Sequence, residues 1–216
     1  MDLSKQVKGA TYLRDLNMIV PGTKNIKYGD LIKSRVATRF GIYNIPTELQ
    51  WINLENLARE IIQPLFNKYT GLAISSCYRS LELNTHVRGS STSDHIHGCA
   101  VDIVSSEYNL IDIIEWIYKN LKFKKIIAEN FPDGWIHISF ELGNNDKKLL
   151  LKKKSEKNMS NTSLDELKRL YKKPNKPGLV VQQSVVPQFI EEVQPVNLPP
   201  LIPQPDVNIH TDTNID

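Results

Sequence analysis

Ser93-Asp94-His95-Ile96-His97-Gly98-Cys99-Ala100-Val101-Asp102-Ile103-Val104 is a polar, histidine-bearing loop that runs directly into an apolar strand carrying a single carboxylate. Ala100 to Val104 has the small and β-branched residues of a buried strand, and Asp102 stands inside it between Val101 and Ile103. A charged group at such a position is costly unless its charge is paired or bound to a metal. The stretch therefore fixes one strand and demands a partner for Asp102.

Working outward, Gly71-Leu72-Ala73-Ile74-Ser75-Ser76 reads as a second strand. Lys124 to Ala128 and Trp135 to Phe140 read as two more, joined by the turn Asn130-Phe131-Pro132-Asp133-Gly134 in a hairpin. In the last strand Trp135, His137 and Ser139 share one face and Ile136 and Ile138 the other, because side chains alternate. Asn44-Ile45-Pro46 supplies a cap and a first-turn proline ahead of Leu49, Ile52, Leu54, Leu57, Ile61, Ile62 and Leu65, whose spacing predicts an amphipathic helix that Pro64 should kink or shorten. Leu110 to Leu121, with Ile113, Ile114 and Ile117, predicts a second core helix. The sum is an α+β domain, a small antiparallel sheet with flanking helices.

Composition sets the limits of that domain. The chain has 216 residues, of which 40% are hydrophobic and 24% charged, enough for one domain with a core and some tail. Past Asn144 the pattern changes. Six lysines lie between Lys147 and Lys157, and the second half of this run reads as a solvated linker. Ser163-Leu164-Asp165-Glu166 then opens a short helix with Leu164, Leu167 and Tyr171 on one stripe. Eight of the twelve prolines fall between Pro174 and Pro205, which predicts an extended, polyproline-like tail. We divide the chain into an N-terminal extension (1–26), a folded domain (27–145), a Lys-rich linker with a short helix (146–173) and a proline-rich acidic tail (174–216).

The net charge of +3 hides an asymmetry, since the tail has one Lys against five Asp and Glu and so leaves +7 on residues 1–173. Basic surface suits any anionic polymer, and no aromatic-interleaved nucleic-acid module accompanies it. No apolar run approaches the roughly 20 residues that cross a bilayer, and Met1-Asp2-Leu3-Ser4-Lys5-Gln6 has no apolar segment of the secretory kind. The expectation is a protein without a signal peptide or membrane span that starts in a cytoplasm. Cys77 and Cys99 are too few for a disulfide scaffold and read as small packed thiols, Cys99 being open to oxidation if a metal lies near.

Two imidazoles and a carboxylate are a ligand set that zinc accepts in catalytic sites, with a fourth position left for water. His95 at the loop's end, Asp102 in its strand and His137 in the hairpin are the candidates. His97 reads as a solvated loop residue, and His86 and His210 carry no role.

Tyr78-Arg79-Ser80, Leu83-Asn84, the spacing Ser93-x-His95-x-x-Gly98-x-Ala100-x-Asp102 and finally Trp135-x-His137-x-Ser139 resemble, in order and spacing, the zinc D-alanyl-D-alanine carboxypeptidase family, which includes VanX-type dipeptidases and phage endolysin peptidases. Tyr28 to Ser34 and Arg39 to Ile42 resemble phage-encoded members, so the likeness runs from about residue 27 to about 145. The resemblance implies the Hedgehog/DD-peptidase fold and one zinc ion held by His95, Asp102 and His137. It implies that Arg79 orients the substrate and polarises its carbonyl, with Ser93 beside the first ligand. Tyr78 and Trp135 read either as the border of a substrate groove or as core. Trp135 is the more natural core residue of the two. Gly98 lets the loop turn between ligand and strand.

One position departs from the pattern. Many members place the catalytic carboxylate three residues before the last histidine, where this chain has Gly134. Glu129, at the end of the preceding strand, and Asp133, in the turn, are the two substitutes, Glu129 being favoured because phage-type relatives carry a Glu there. The function implied is hydrolysis of peptidoglycan stem peptides, at a D-Ala terminus or an internal L-to-D bond, from the host cytoplasm or a virion. The alternative is a virion structural or interaction protein that keeps the fold with little activity, its proline-rich tail docked on another virion protein.

Overall fold

The computed structural model describes residues 14–153 and 158–171. Four expectations therefore lie outside the described residues: the proline-rich tail, His210, the first part of the N-terminal extension, and Lys154 to Lys157 of the linker. The described chain is α+β.

Six strands form one sheet in the order β1-β2-β4-β3-β5-β6: β1 (Leu72–Ser76), β2 (Ala100–Ser105), β3 (Lys125–Phe131), β4 (Trp135–Ser139), β5 (Lys148–Lys153) and β6 (Ser160–Asn161). The expected small antiparallel sheet is corrected to a mixed one. Neighbours from β1 to β3 are antiparallel, but β5 runs parallel to β3 with Ile127 opposite Leu150 and Glu129 opposite Lys152. After β4 the chain turns at Gly143, with φ +84°, passes β3 and enters beside it. The Lys-rich stretch is thus in part a strand. Leu149 and Leu151 bury their side chains, at 6% and 2% exposure, while Lys148, Leu150 and Lys152 take the other face. Burying two leucines contributes about 3–6 kcal/mol, which outweighs the mutual repulsion of partly solvated lysines.

The sheet's two faces differ in chemistry. Val101, Ile103, Ile126, Ala128, Ile136 and Ile138 are at 0% exposure and belong to the apolar core with the helices. One such helix spans Leu110–Asn120, with Leu110, Ile111, Ile113, Ile114 and Ile117 buried as the periodicity predicts. A short C-terminal helix over Leu164–Leu170 lies against it, with Leu167 at 0% exposure and Lys168 Nζ 2.7 Å from Glu115. Tyr171 donates its hydroxyl to Asn109 Oδ1, just before the first residue of the Leu110–Asn120 helix, 2.6 Å away. Val20 and Ile26 are also buried, and Arg14 reaches Glu48 at 2.8 Å. The packed unit therefore includes residues on both sides of 27–145.

The helix expected after Pro46 begins at Glu48, with Thr47 rather than Asn44 as its N-cap. Asn44 instead ties three segments together. Its Nδ2 donates to the carbonyls of Ile32 and Tyr78, at 2.7 and 3.2 Å, and its Oδ1 accepts from Ser80 N–H at 2.7 Å. The buried stripe is Trp51, Leu54, Leu57, Ala58, Ile61, Ile62 and Leu65, while Leu49 and Ile52 are 67% and 45% exposed. Trp51 and Ala58 hold inward positions, so they replace Leu49 and Ile52 in the expected apolar set. The helix continues past Pro64 to Lys68. A wide π turn over Ala58–Ile62 precedes it, and α-helix resumes over Gln63–Lys68 with the proline in its first turn, where no N–H is needed.

Candidate metal centre

Three local structures deliver the three candidate ligands to one place. Asp102 and His137 are directly opposed in the β2–β4 ladder, so register alone makes them neighbours on the face away from the core. His95 comes from a 3₁₀ turn, Asp94–His97, between residue 93 and β2. Ser93 caps that turn by accepting the His95 N–H at 3.4 Å. Gly98 closes it in the left-handed region, φ +72°, where a Cβ would lie 2.6 Å from the Gln50 carbonyl. Behind the turn Asp94 is 8% exposed and ion-paired to Lys124 at 3.1 Å and Lys125 at 2.8 Å. Burial would raise the Asp94 carboxyl, but the two ammonium groups hold it down to about 2.

His95, Asp102 and His137 are at 1%, 8% and 6% exposure. His95 Nε2 lies 3.2 Å from Asp102 Oδ1, His137 Nδ1 lies 2.9 Å from the same oxygen, and the two nitrogens are 3.1 Å apart. A tetrahedral zinc with nitrogen and oxygen ligands at about 2.0–2.2 Å sets its ligand atoms about 3.3–3.6 Å apart. The triangle needs only a few tenths of an ångström of expansion to accept the ion. His95 Nδ1 is fixed by the Cys77 carbonyl, which makes it the N–H donor and leaves Nε2 as the free lone pair. Burial pushes the His95 imidazole below its ordinary value despite Asp102, so it is neutral, as a ligand must be. Burial alone would raise the Asp102 carboxyl, yet the neighbouring His137, which reaches Oδ1 at 2.9 Å, and then His95 hold it below the usual carboxylate range. The residues present fit a zinc ion.

Arg79 completes the cluster from the loop after β1. Its backbone N–H donates to the His95 carbonyl at 3.2 Å and its Nη2 donates to Asp102 Oδ2 at 3.3 Å. One carboxylate oxygen thus faces the histidines and the other faces the guanidinium. Burial works against the Arg79 charge, while Asp102 and then Glu129 favour it. Asn84, 1% exposed, reaches Arg79 Nη1 with Oδ1 at 3.5 Å and donates from Nδ2 to Ser90 O at 2.9 Å.

The two carboxylate candidates lie in different surroundings. Glu129 shares the His137 face, since Ile127 opposes His137 and Glu129 opposes Trp135. Its Oε2 meets Lys152 Nζ at 3.1 Å. Asp133 is exposed in the turn, and its field is felt at Tyr171, on the core side. Gly134 has a physical reason to lack a side chain, because a Cβ there would be 1.9 Å from the Glu129 carbonyl oxygen.

Tyr78 is 5% exposed and donates its hydroxyl to Gln50 Oε1 at 3.1 Å, so it is a wall residue beneath Arg79. Trp135 is half-buried on the metal-site face. His97 is exposed, and His86 is exposed and stacked on Phe40. Sequence reasoning missed Lys152, hidden in a charge run, and the Cys77 carbonyl, which no side-chain motif reveals. Cys77 is fully packed. Burial, with Asp94 and Glu141 nearby, pushes the Cys99 thiol up to about 11. Iodoacetamide should therefore modify Cys99 more than about tenfold more slowly at pH 7.5 than a free thiol, its thiolate being scarce. A rate equal to that of the free thiol would contradict this environment.

A family described as Peptidase M15 matches residues 24–139, more than half the chain and the span that holds His95, Asp102, His137, Arg79, Glu129 and Asp133. The chain belongs to the peptidase M15 family. It is a zinc metallopeptidase, a hydrolase of peptide bonds, and its His-Asp-His cluster can bind one metal ion. No curated protein matches the chain. Among the described residues no helix is long and apolar enough to cross a membrane.

Proposed function

We propose that this M15 peptidase hydrolyses peptidoglycan stem peptides, that it is phage-encoded, and that His95, Asp102 and His137 hold its zinc. The observation that carries the reading is the convergence of three buried ligand atoms on a sheet face that also carries Glu129, with Arg79 reaching Asp102 from the loop after β1. Zinc bound there supplies Lewis acidity and a water acidified to a pKa of about 7.

The chain's own groups do the rest. Asp102 is held by Arg79, which keeps one carboxylate oxygen turned toward the imidazoles. The same guanidinium is the group suited to fix the substrate's carbonyl or terminal carboxylate by charge-assisted hydrogen bonds. Glu129 takes the proton of the attacking water and returns it to the departing amine. Ser93 keeps His95 in place through its cap, and Trp135 offers a half-buried apolar surface to the peptide. The +7 charge of residues 1–173 suits an anionic cell-wall substrate. The protein acts on the bacterial wall either from the host cytoplasm at lysis or from a virion, where the proline-rich tail docks on a neighbouring protein.

Zinc-loaded protein should release amine from purified cell-wall fragments, stop on chelation and resume when zinc is returned. D-Ala appearing from a D-Ala-D-Ala peptide marks carboxypeptidase action, and a new internal amino terminus marks endopeptidase action. A chain that holds one zinc and releases nothing from either substrate would sink the proposal and favour a virion interaction protein.

A further inference from the structure

The family match ends at Ser139, but the sheet that carries the site does not. β5 lies wholly beyond that limit and pairs with β3 along its length. Its alternation is two-sided, with Leu149 and Leu151 in the core and Lys152 on the metal-site face. Register sets Lys152 directly opposite Glu129, and the two side chains meet at 3.1 Å with Glu129 15% and Lys152 33% exposed. Glu129 therefore stands between Trp135 on β4 and Lys152 on β5. Among the described residues its only hydrogen bond or ion pair from the side chain is the one to Lys152.

A glutamate has several rotatable bonds, and a proton carrier is effective only when its oxygen is kept within hydrogen-bond reach of the reacting atoms. We propose that Lys152 is a positioning residue for the Glu129 carboxylate, so that β5, outside the segment that identifies the family, is part of the catalytic unit. Lys152 anchors Oε2 and leaves Oε1 as the oxygen that exchanges a proton. The inference rests on the reading of Glu129 as proton carrier.

The test uses the full-length, zinc-loaded chain. Lys152→Met should lower kcat about ten- to a hundredfold with KM within about twofold, and Lys152→Arg should recover most of the loss. Glu129→Gln combined with Lys152→Met should turn over no more slowly than Glu129→Gln alone, because the lysine acts only through the carboxylate. Zinc content and melting temperature should stay near wild type. If Lys152→Met folds poorly, Lys152→Gln serves in its place. A readout free of turnover is the side-chain carboxyl carbon resonance of Glu129 in the zinc-free protein, identified by its absence in Glu129→Gln. It should move in Lys152→Met and stay in place in Lys148→Met, a lysine on the same face of β5.

Should Glu129→Gln turn over like wild type, the reading of Glu129 fails and this inference with it. Should Glu129→Gln be inactive while Lys152→Met matches wild type in both kcat and the Glu129 resonance, the inference alone is overturned.

Discussion

His137→Ala is expected to weaken zinc binding by more than about a hundredfold and to abolish release of amine from cell-wall peptides, while leaving the chain folded. Even partners that only hydrogen-bond to metal ligands are worth about 10–100-fold in affinity, and His137 offers one of three donor atoms itself. The fold should survive because Asp102 keeps Arg79 at 3.3 Å and His95 at 3.2 Å once His137 is gone. His95→Ala should behave alike. Asp102→Ala carries a second cost, since Arg79, with 17% of its side chain exposed, would lose the carboxylate it faces; its melting temperature should fall further than that of His137→Ala. Zinc at about 100 times its dissociation constant should stabilise the wild-type chain by about 2.7 kcal/mol, and the His137→Ala chain hardly at all. Metal analysis after gel filtration and melting curves with and without zinc check both statements. A His137→Ala chain that keeps its zinc would remove the foundation of the proposed mechanism.

Glu129→Gln is expected to lower kcat by about 10²–10⁴-fold with zinc content unchanged, whereas Asp133→Asn should leave turnover near wild type. Glutamine keeps the shape and the hydrogen-bonding reach to Lys152 but cannot accept the proton. The contrast follows from placement. Glu129 lies on the His137 face and its charge is felt at Arg79, while Asp133 lies exposed at the hairpin tip with its field directed at Tyr171. Paired assays on one peptide substrate decide between them, and the opposite ranking would return the proton carrier to the turn.

How much of this was legible in the chain depends on how local the signal is. The cluster of His95, Asp102 and His137 could be read because a histidine at a loop's end, an aspartate inside a strand and a histidine in a hairpin each violate the local pattern in a way chemistry can explain. The helix Leu110–Asn120 could be read because Ile113, Ile114 and Ile117 repeat at helical spacing. The strand over Lys148–Lys153 was obscured because its stability comes from a parallel partner more than twenty residues away, and local composition sees only six lysines. Charge density described the solvent side of that strand and missed the two leucines behind it. The surroundings of Tyr78 and Trp135 were hidden for a similar reason, since both are large aromatics beside motif residues. What distinguishes them is that the Tyr78 hydroxyl finds Gln50, a residue far away in the chain. Pro64 misled for the opposite reason, because a wide turn placed just before it makes a helix start of what looked like a helix end.

The parallel strand also bears on where this enzyme can be cut. A fragment trimmed to the recognisable family segment would end at Ser139 and strip β3 of its outer neighbour, baring a run of unpaired backbone N–H and C=O groups along Ile126, Ile127 and Ala128. Such a bare edge invites strand-to-strand association between copies, so the minimal soluble unit reaches at least to Lys153 and, given the buried Leu167, to the end of the C-terminal helix.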